Sequence, residues 1–238
     1  MGLIVKAEGG KTYDPIPEGV HVAVCYSLVD LGTQHNRHYD KYVREVMVTW
    51  ELPHVRAEFE RDGTMVNLPR AISNKYTQSL HKKASLRKDL EAWRGKAFTK
   101  ADLDGFDMKA VLGAACQLQV IHNTSADGEK VYSNVKAIMG LPGGMEAPKS
   151  ENPLVYFSFD DCKTDELPAD LPTWLREIIA ESKEYGERKE ASNRIPEATN
   201  EPEIIRDVAP AGPEQSEPPA GIDPVSGQPI DDDEVMPF

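Results

Sequence analysis

Cysteine is scarce in this 238-residue sequence: Cys25, Cys116 and Cys162 are odd in number, far apart and lack a C-x-x-C pairing. That argues against a disulfide framework or a cysteine-based zinc site and for a reducing compartment. Long apolar runs are missing too. No stretch approaches the roughly 18 residues a membrane helix needs, and the segment from Met1 to Lys6 lacks the apolar core of a secretory signal, so a cytoplasmic location is expected. Catalytic signatures are equally lacking: there is no H-E-x-x-H, G-x-x-x-x-G-K-[ST], G-x-S-x-G or G-x-G-x-x-G. Neither an enzyme nor a cofactor is expected. His35 and His38 have no neighbouring ligands to complete a tetrahedral metal site. The Asp160-Asp161 pair, which a nuclease could use for a divalent cation, reads as solvated. No internal repeat is present.

Aromatic residues make up only 7% of the chain, and from Ala191 onward the single one is Phe238. Nine of the eighteen prolines fall in those last 48 residues. Such a stretch cannot bury enough apolar surface to offset the entropy of ordering, so residues 191–238 read as a disordered acidic tail. The formal charge of -13 is unevenly spread: residues 201–238 contribute -9 and residues 160–200 contribute -5, leaving +1 for residues 1–159. An acidic total would argue against nucleic acid as a partner. With the tail set apart, that objection disappears.

The tail ends in Asp231, Asp232, Asp233, Glu234, Val235, Met236, Pro237 and Phe238: four carboxylates beside an apolar tip whose last residue carries a ring and the α-carboxylate. Partners offering an apolar pocket rimmed with Lys or Arg capture such peptides. The tip resembles that of bacterial single-stranded DNA-binding proteins, where a run of Asp ends in Ile-Pro-Phe; here Pro237 and Phe238 are kept and Val235-Met236 depart. The overall plan is similar to T7-type phage replication proteins, which also end in an acidic stretch with a final Phe, and residues 20–140 look like phage replication-module proteins. That resemblance implies recruitment of a helicase, nuclease, polymerase or primase through Asp231, Asp232, Asp233, Glu234, Met236, Pro237 and Phe238, in the cytoplasm of a bacterial host cell.

The element order is mainly β with helical insertions. Residues 19–31 alternate as a strand, with Val20, Val22, Val24, Tyr26 and Leu28 against His21, Ala23, Cys25 and Ser27; residues 41–52 form the second strand. Residues 53–69, with a turn signal at Arg61-Asp62-Gly63-Thr64, read as a hairpin or extended loop, and residues 72–80 as the third strand. Helices are expected over 85–94, with Leu86, Leu90 and Trp93 on one face, and over 107–113. A terminal hairpin follows, with Cys116, Leu118, Val120, Val131, Val135, Ala137 and Met139 inward. Three strands, a helical insertion and a hairpin is the order of the OB-fold, a five-stranded barrel that binds oligonucleotides. We therefore expect an OB-fold-like DNA-binding domain over 1–160. Residues 161–190 are expected to carry an amphipathic helix, with Leu171, Trp174, Leu175, Ile178 and Ile179 on its apolar face, that packs on the domain or serves a partner or a second copy.

Candidate contacts to single-stranded DNA come from cations interleaved with rings. The first connection supplies Arg37, Tyr39, Lys41, Tyr42 and Arg44. The third strand supplies Lys75 and Tyr76, and the run after it Lys82, Lys83, Arg87 and Lys88, within a segment from Arg70 to Lys100 that carries nine bases against two acids. The outward face of the terminal hairpin supplies Tyr132, Asn134 and Lys136, beside Gln117, Gln119 and Ile138. Trp50 and Trp93 are assigned to the core. The expected function is sequence-tolerant coating of single strands in phage DNA replication or recombination. The alternative is an adaptor or decoy that imitates the bacterial tail and has no DNA affinity.

Overall fold

The computed structural model describes residues 14–37, 40–61, 63–125, 127–162 and 166–194, without the side chains of Arg61, Asn193 and Arg194. The terminal tip and Tyr39 lie outside these residues.

Five antiparallel strands form a curled half-barrel, accompanied by a few helices. They are β1 (Gly19–Asn36), β2 (Lys41–Arg61), β3 (Thr64–Thr77), β4 (Ala115–Thr124) and β5 (Val131–Met139), in spatial order β3-β2-β1-β4-β5. A sixth short strand, β6 (Val155–Phe157), runs parallel to β1 and pairs with Ser27, Leu28 and Val29. Central β1 can serve two antiparallel neighbours because it is long: its first half pairs with β4 and its second half with β2.

The concave side of the sheet is filled by Ala23, Cys25, Leu28, Val46, Val48, Trp50, Leu52, Ile72, Cys116, Leu118, Val120 and Ile138. Helix α1 (Ser85–Arg94) closes this core with Leu86, Leu90 and Trp93, and Trp93 donates its indole N–H to the Ala115 carbonyl at 2.9 Å. The chain can turn away from α1 because Gly95 ends it in the left-handed conformation, φ 67°. A short helix α2 (Lys100–Asp104) begins with a reciprocal Thr99–Asp102 capping box, and a 3-10 turn over Met108–Val111 leads into β4.

A second apolar cluster lies on the opposite, convex face. Val29, Leu31 and Met47 of the sheet meet Phe157 and Phe159, and Leu171, Leu175 and Ile179. The last two belong to α3 (Thr173–Ala180), and α4 (Lys183–Arg194) follows it. Leu171, Leu175 and Ile179 recur at four-residue spacing, so one face of this segment is buried against β1.

Four irregularities reset the alternation of facing side chains. In β1, extra residues stand between Cys25 and Ser27 and between Asp30 and Gly32; opposite β4, Lys136 is extra in β5; a fourth irregularity, in β2, leaves residues 53–55 extra opposite β3. Each bulge shifts the face of everything beyond it. The inward set expected for β5 therefore needs correction: Ile138, opposite Leu118, is buried, whereas Ala137 pairs with Gln119 and Met139 is 41% exposed; Val131, in phase with Val135, is exposed because it pairs with Thr124 at the end of the ladder.

Boundaries differ in a consistent direction. β1 extends to Asn36, β2 to Arg61, and β3 begins at Thr64 and ends at Thr77, so residues 56–69 are a ladder closed by a turn at Gly63, φ 75°. Polar side chains do not stop a ribbon whose backbone groups are mutually paired. Helix α4 includes residues 191–194, which the composition places in the tail, and β6 and α2 carry no clear local signal in the sequence.

Candidate nucleic-acid interface

Tyr42 is the centre of the cluster at the β1–β2 turn. It is 58% exposed, its ring lies 5.0 Å from that of His35, and the Lys183 ammonium of α4 stands 3.6 Å above it. The antiparallel register places Tyr42 opposite His35 and Lys41 opposite Asn36, and Arg37 projects from the turn itself. Arg37 and Lys41 are exposed and carry no ion pair among the described residues.

Neighbouring cations are already engaged. Asp30, buried in β1, accepts from Arg44 at 2.5 Å, from the Gly32 N–H at 2.9 Å and from the Phe159 N–H; Arg44 also reaches Asp160 at 3.1 Å. Lys75 stands 2.8 Å from buried Glu45. Arg87 bonds Glu91 at 2.9 Å within α1. A cation that already has a carboxylate gains less from a phosphate, so Arg44, Lys75 and Arg87 are weak candidates for DNA contact.

Tyr76 must be withdrawn as a stacking platform. It is 2% exposed, belongs to the concave core and donates its hydroxyl to Asp89 at 2.8 Å. Burial, helped by the Asp89 charge, drives this phenol far above its ordinary range, so it stays protonated. Its place follows from register: Tyr76 lies opposite Val46, which faces inward.

Lys82, Lys83 and Lys88 are exposed around the start of α1 and form no ion pair among the described residues. They lie towards the same end of the sheet as Tyr42, because β3 leaves it where Gln78 donates to the Arg44 carbonyl at 2.8 Å. Tyr132, Asn134 and Lys136 are elsewhere. Tyr132 is exposed and pairs with Asn123, beyond the Gly19–Val120 pair that starts β1, whereas Tyr42 pairs near the end of β1. The fourteen sequence-derived contact residues therefore fall into groups at the two ends of β1, apart from buried Tyr76 and from Tyr39, which is not described.

Between these ends the convex face holds a groove of about 400 Å³ that sequence reasoning did not find. Its floor is Ser27, Thr49, Ala71 and Ser73, and the Thr49 and Ser73 hydroxyls are hydrogen-bonded at 2.9 Å. The first β1 bulge turns both Tyr26 and Ser27 to this side, since Cys25 pairs with inward Trp50 and Ser27 pairs with Thr49. The walls come from later in the chain: Asn152, Pro153 and Val155 on one segment, Asp170, Pro172, Trp174 and Leu175 on another. Burial, with the Glu51 charge adding to it, raises the Tyr26 phenol, which stays a neutral donor. The sequence signal for it is Trp174, which the helical spacing places on the apolar face of its helix; it is 47% exposed.

Glu51 fixes one wall. Although fully buried, its carboxylate accepts from the Glu151 N–H at 2.9 Å, the Asn152 N–H at 2.8 Å, the Asn152 side-chain amide at 2.6 Å and the Ser150 hydroxyl at 3.1 Å. Arg56 supports the same loop through Glu151 at 2.5 Å. No group of metal-ligating side chains occurs among the described residues, and no described helix is long and apolar enough to cross a membrane. Comparison with family models, curated proteins and solved structures found no match.

Proposed function

We propose that this chain is a sequence-tolerant single-stranded DNA-binding protein of OB-fold type that serves phage DNA replication or recombination and recruits partners through its acidic terminal tip. The observation that carries the reading is the cluster at the β1–β2 end of the half-barrel. There an exposed Tyr42 ring stands with Arg37 and Lys41, and Lys82, Lys83 and Lys88 lie towards the same end, all five without a close ion pair among the described residues. Rings for bases and unneutralised cations for phosphates are what strand coating without sequence readout requires.

Two further observations support it. The strand order β3-β2-β1-β4-β5, with α1 inserted between β3 and β4, agrees with an OB barrel, whose loop between the first two strands borders the ligand groove. The near-neutral charge of residues 1–159 leaves the acidic tail as a separate electrostatic element. On this reading the acidic tip competes with DNA for the same cations at low salt.

The test is fluorescence polarisation with labelled oligo-dT and a matched duplex, on the full chain and on a chain lacking Asp231 to Phe238. The truncated chain is expected to bind the single strand more tightly at low salt, with the difference fading above about 0.15 M, and to lose binding to replication proteins. Absence of single-strand binding by the truncated chain would reject the reading in favour of a tail-mimicking adaptor.

A further inference from the structure

Trp174 stands out in its own helix. Its neighbours Leu171, Leu175 and Ile179 are buried against β1, while its indole is left half in solvent at the mouth of the convex-face groove. The groove is within the ligand-site range of roughly 300 to 1,000 Å³. Its lining contains no Lys or Arg; Asp170 is its one carboxylate. That composition repels a phosphate and suits an uncharged flat ring.

We propose that this groove is a nucleobase subsite in which one unpaired base stacks on Trp174 and turns its edge towards the polar floor. The inference rests on the single-strand-binding reading above. Two acceptors meet the edge: the Asp170 carboxylate, and the Asn152 side-chain carbonyl, whose amide nitrogen is already committed to Glu51. Acceptors favour edges that donate, so this one subsite adds a graded preference to otherwise sequence-tolerant binding, ranking bases with an exocyclic amino group above thymine, whose two carbonyls flank its single donor. The phosphates stay outside, away from Asp170. The wall at Asn152 is held rigid by Glu51, so the subsite is formed before any ligand arrives.

Tryptophan emission provides a selective probe. Trp50 and Trp93 are 1% and 8% exposed, leaving Trp174 as the accessible indole. The full chain is titrated with short oligo-dC and oligo-dT while emission and the polarisation of an end label are followed together. The proposal expects quenching that saturates with the polarisation signal and tighter binding of oligo-dC than of oligo-dT. W174A should weaken binding about 5- to 150-fold, the span of ring-on-base stacking. W174F should keep most of the affinity while losing the quenching, and D170N should narrow the dC-over-dT preference. Unchanged affinity in W174A, or full polarisation binding without quenching in the wild type, overturns the subsite and leaves the single-strand reading standing. No polarisation change with any oligonucleotide overturns that reading itself, and the subsite with it.

Discussion

Asn152 donates both its backbone N–H and its side-chain amide to one oxygen of Glu51, although the two residues are a hundred positions apart in the chain. This joins the middle of the sheet to the loop that walls the groove. A fully buried carboxylate is tolerated here because four donors converge on it.

Replacing Glu51 by Ala leaves two backbone N–H groups without their acceptor. We expect a loss of about 3 kcal/mol or more in unfolding free energy, read by denaturant titration. Glu51→Gln should cost less, since its carbonyl keeps part of the set while its amide faces donors. Both should increase hydrogen exchange at Glu151 and Asn152 before global unfolding. Equal stability of Glu51→Ala and wild type would contradict the assignment.

Gly32 has φ 69°, and a Cβ there would lie 2.7 Å from the Ser182 Cβ, 2.8 Å from the Phe159 ring and 2.8 Å from the Glu184 carboxylate. Gly32→Ala combines backbone strain with a clash against the second cluster. Destabilisation of about 2 to 4 kcal/mol is expected, seen as a lowered thermal midpoint, with the contact between α4 and β1 loosened first.

Glu184 ties α4 to β1. Its partial burial disfavours the charge, but the Thr33 N–H and hydroxyl, each at 2.6 Å, outweigh that and hold its carboxyl below the ordinary value of 4.5. A depressed folded pKa gives stability that is present above the unfolded value and lost as pH falls through the folded one. The docking of α4 should therefore weaken on acidification below about pH 4.5. Glu184→Gln should flatten that part of the pH–stability profile, followed by thermal melts from pH 3 to pH 7.

The unpaired cations should separate from the paired ones in a salt titration. Each phosphate contact adds about 0.7 to the slope of log affinity against log salt for a single strand. Lys82→Ala with Lys83→Ala should reduce the slope by about one to one and a half. Lys75→Ala should change it little and instead destabilise the fold, because it strips buried Glu45 of its cation. Equal slopes for both variants would remove Lys82 and Lys83 from the interface.

Much of the fold was readable because its signals are local. The turn at Gly63, the glycine stop after α1, the four-residue spacing of Leu171, Leu175 and Ile179, and the period-two run of Cys116, Leu118 and Val120 each follow from neighbouring residues. Trp50 and Trp93 could be assigned to the core on the same basis, and they pack 6.1 Å apart there. The bulges were not readable. A single extra residue in one strand is defined only by its partner, and each one moved the following side chains to the other face. That is why Ile138 and Met139 were exchanged, and why Tyr26 and Ser27 both reach the groove.

The site was less legible than the fold for a related reason. Counting bases from Arg70 to Lys100 gives an excess, yet Lys75, Arg87 and Arg94 meet Glu45, Glu91 and Asp102. Sequence alone determined where charge accumulates along the chain, how the apolar positions repeat and that catalytic signatures are lacking, because these are properties of composition and spacing. Tertiary structure decided which cations remain outside ion pairs, which ring of Tyr42 and Tyr76 meets solvent, and that residues 152–155 and 170–175 close a groove over β1, β2 and β3. Those outcomes depend on pairings between residues remote in sequence, whose register no local pattern encodes.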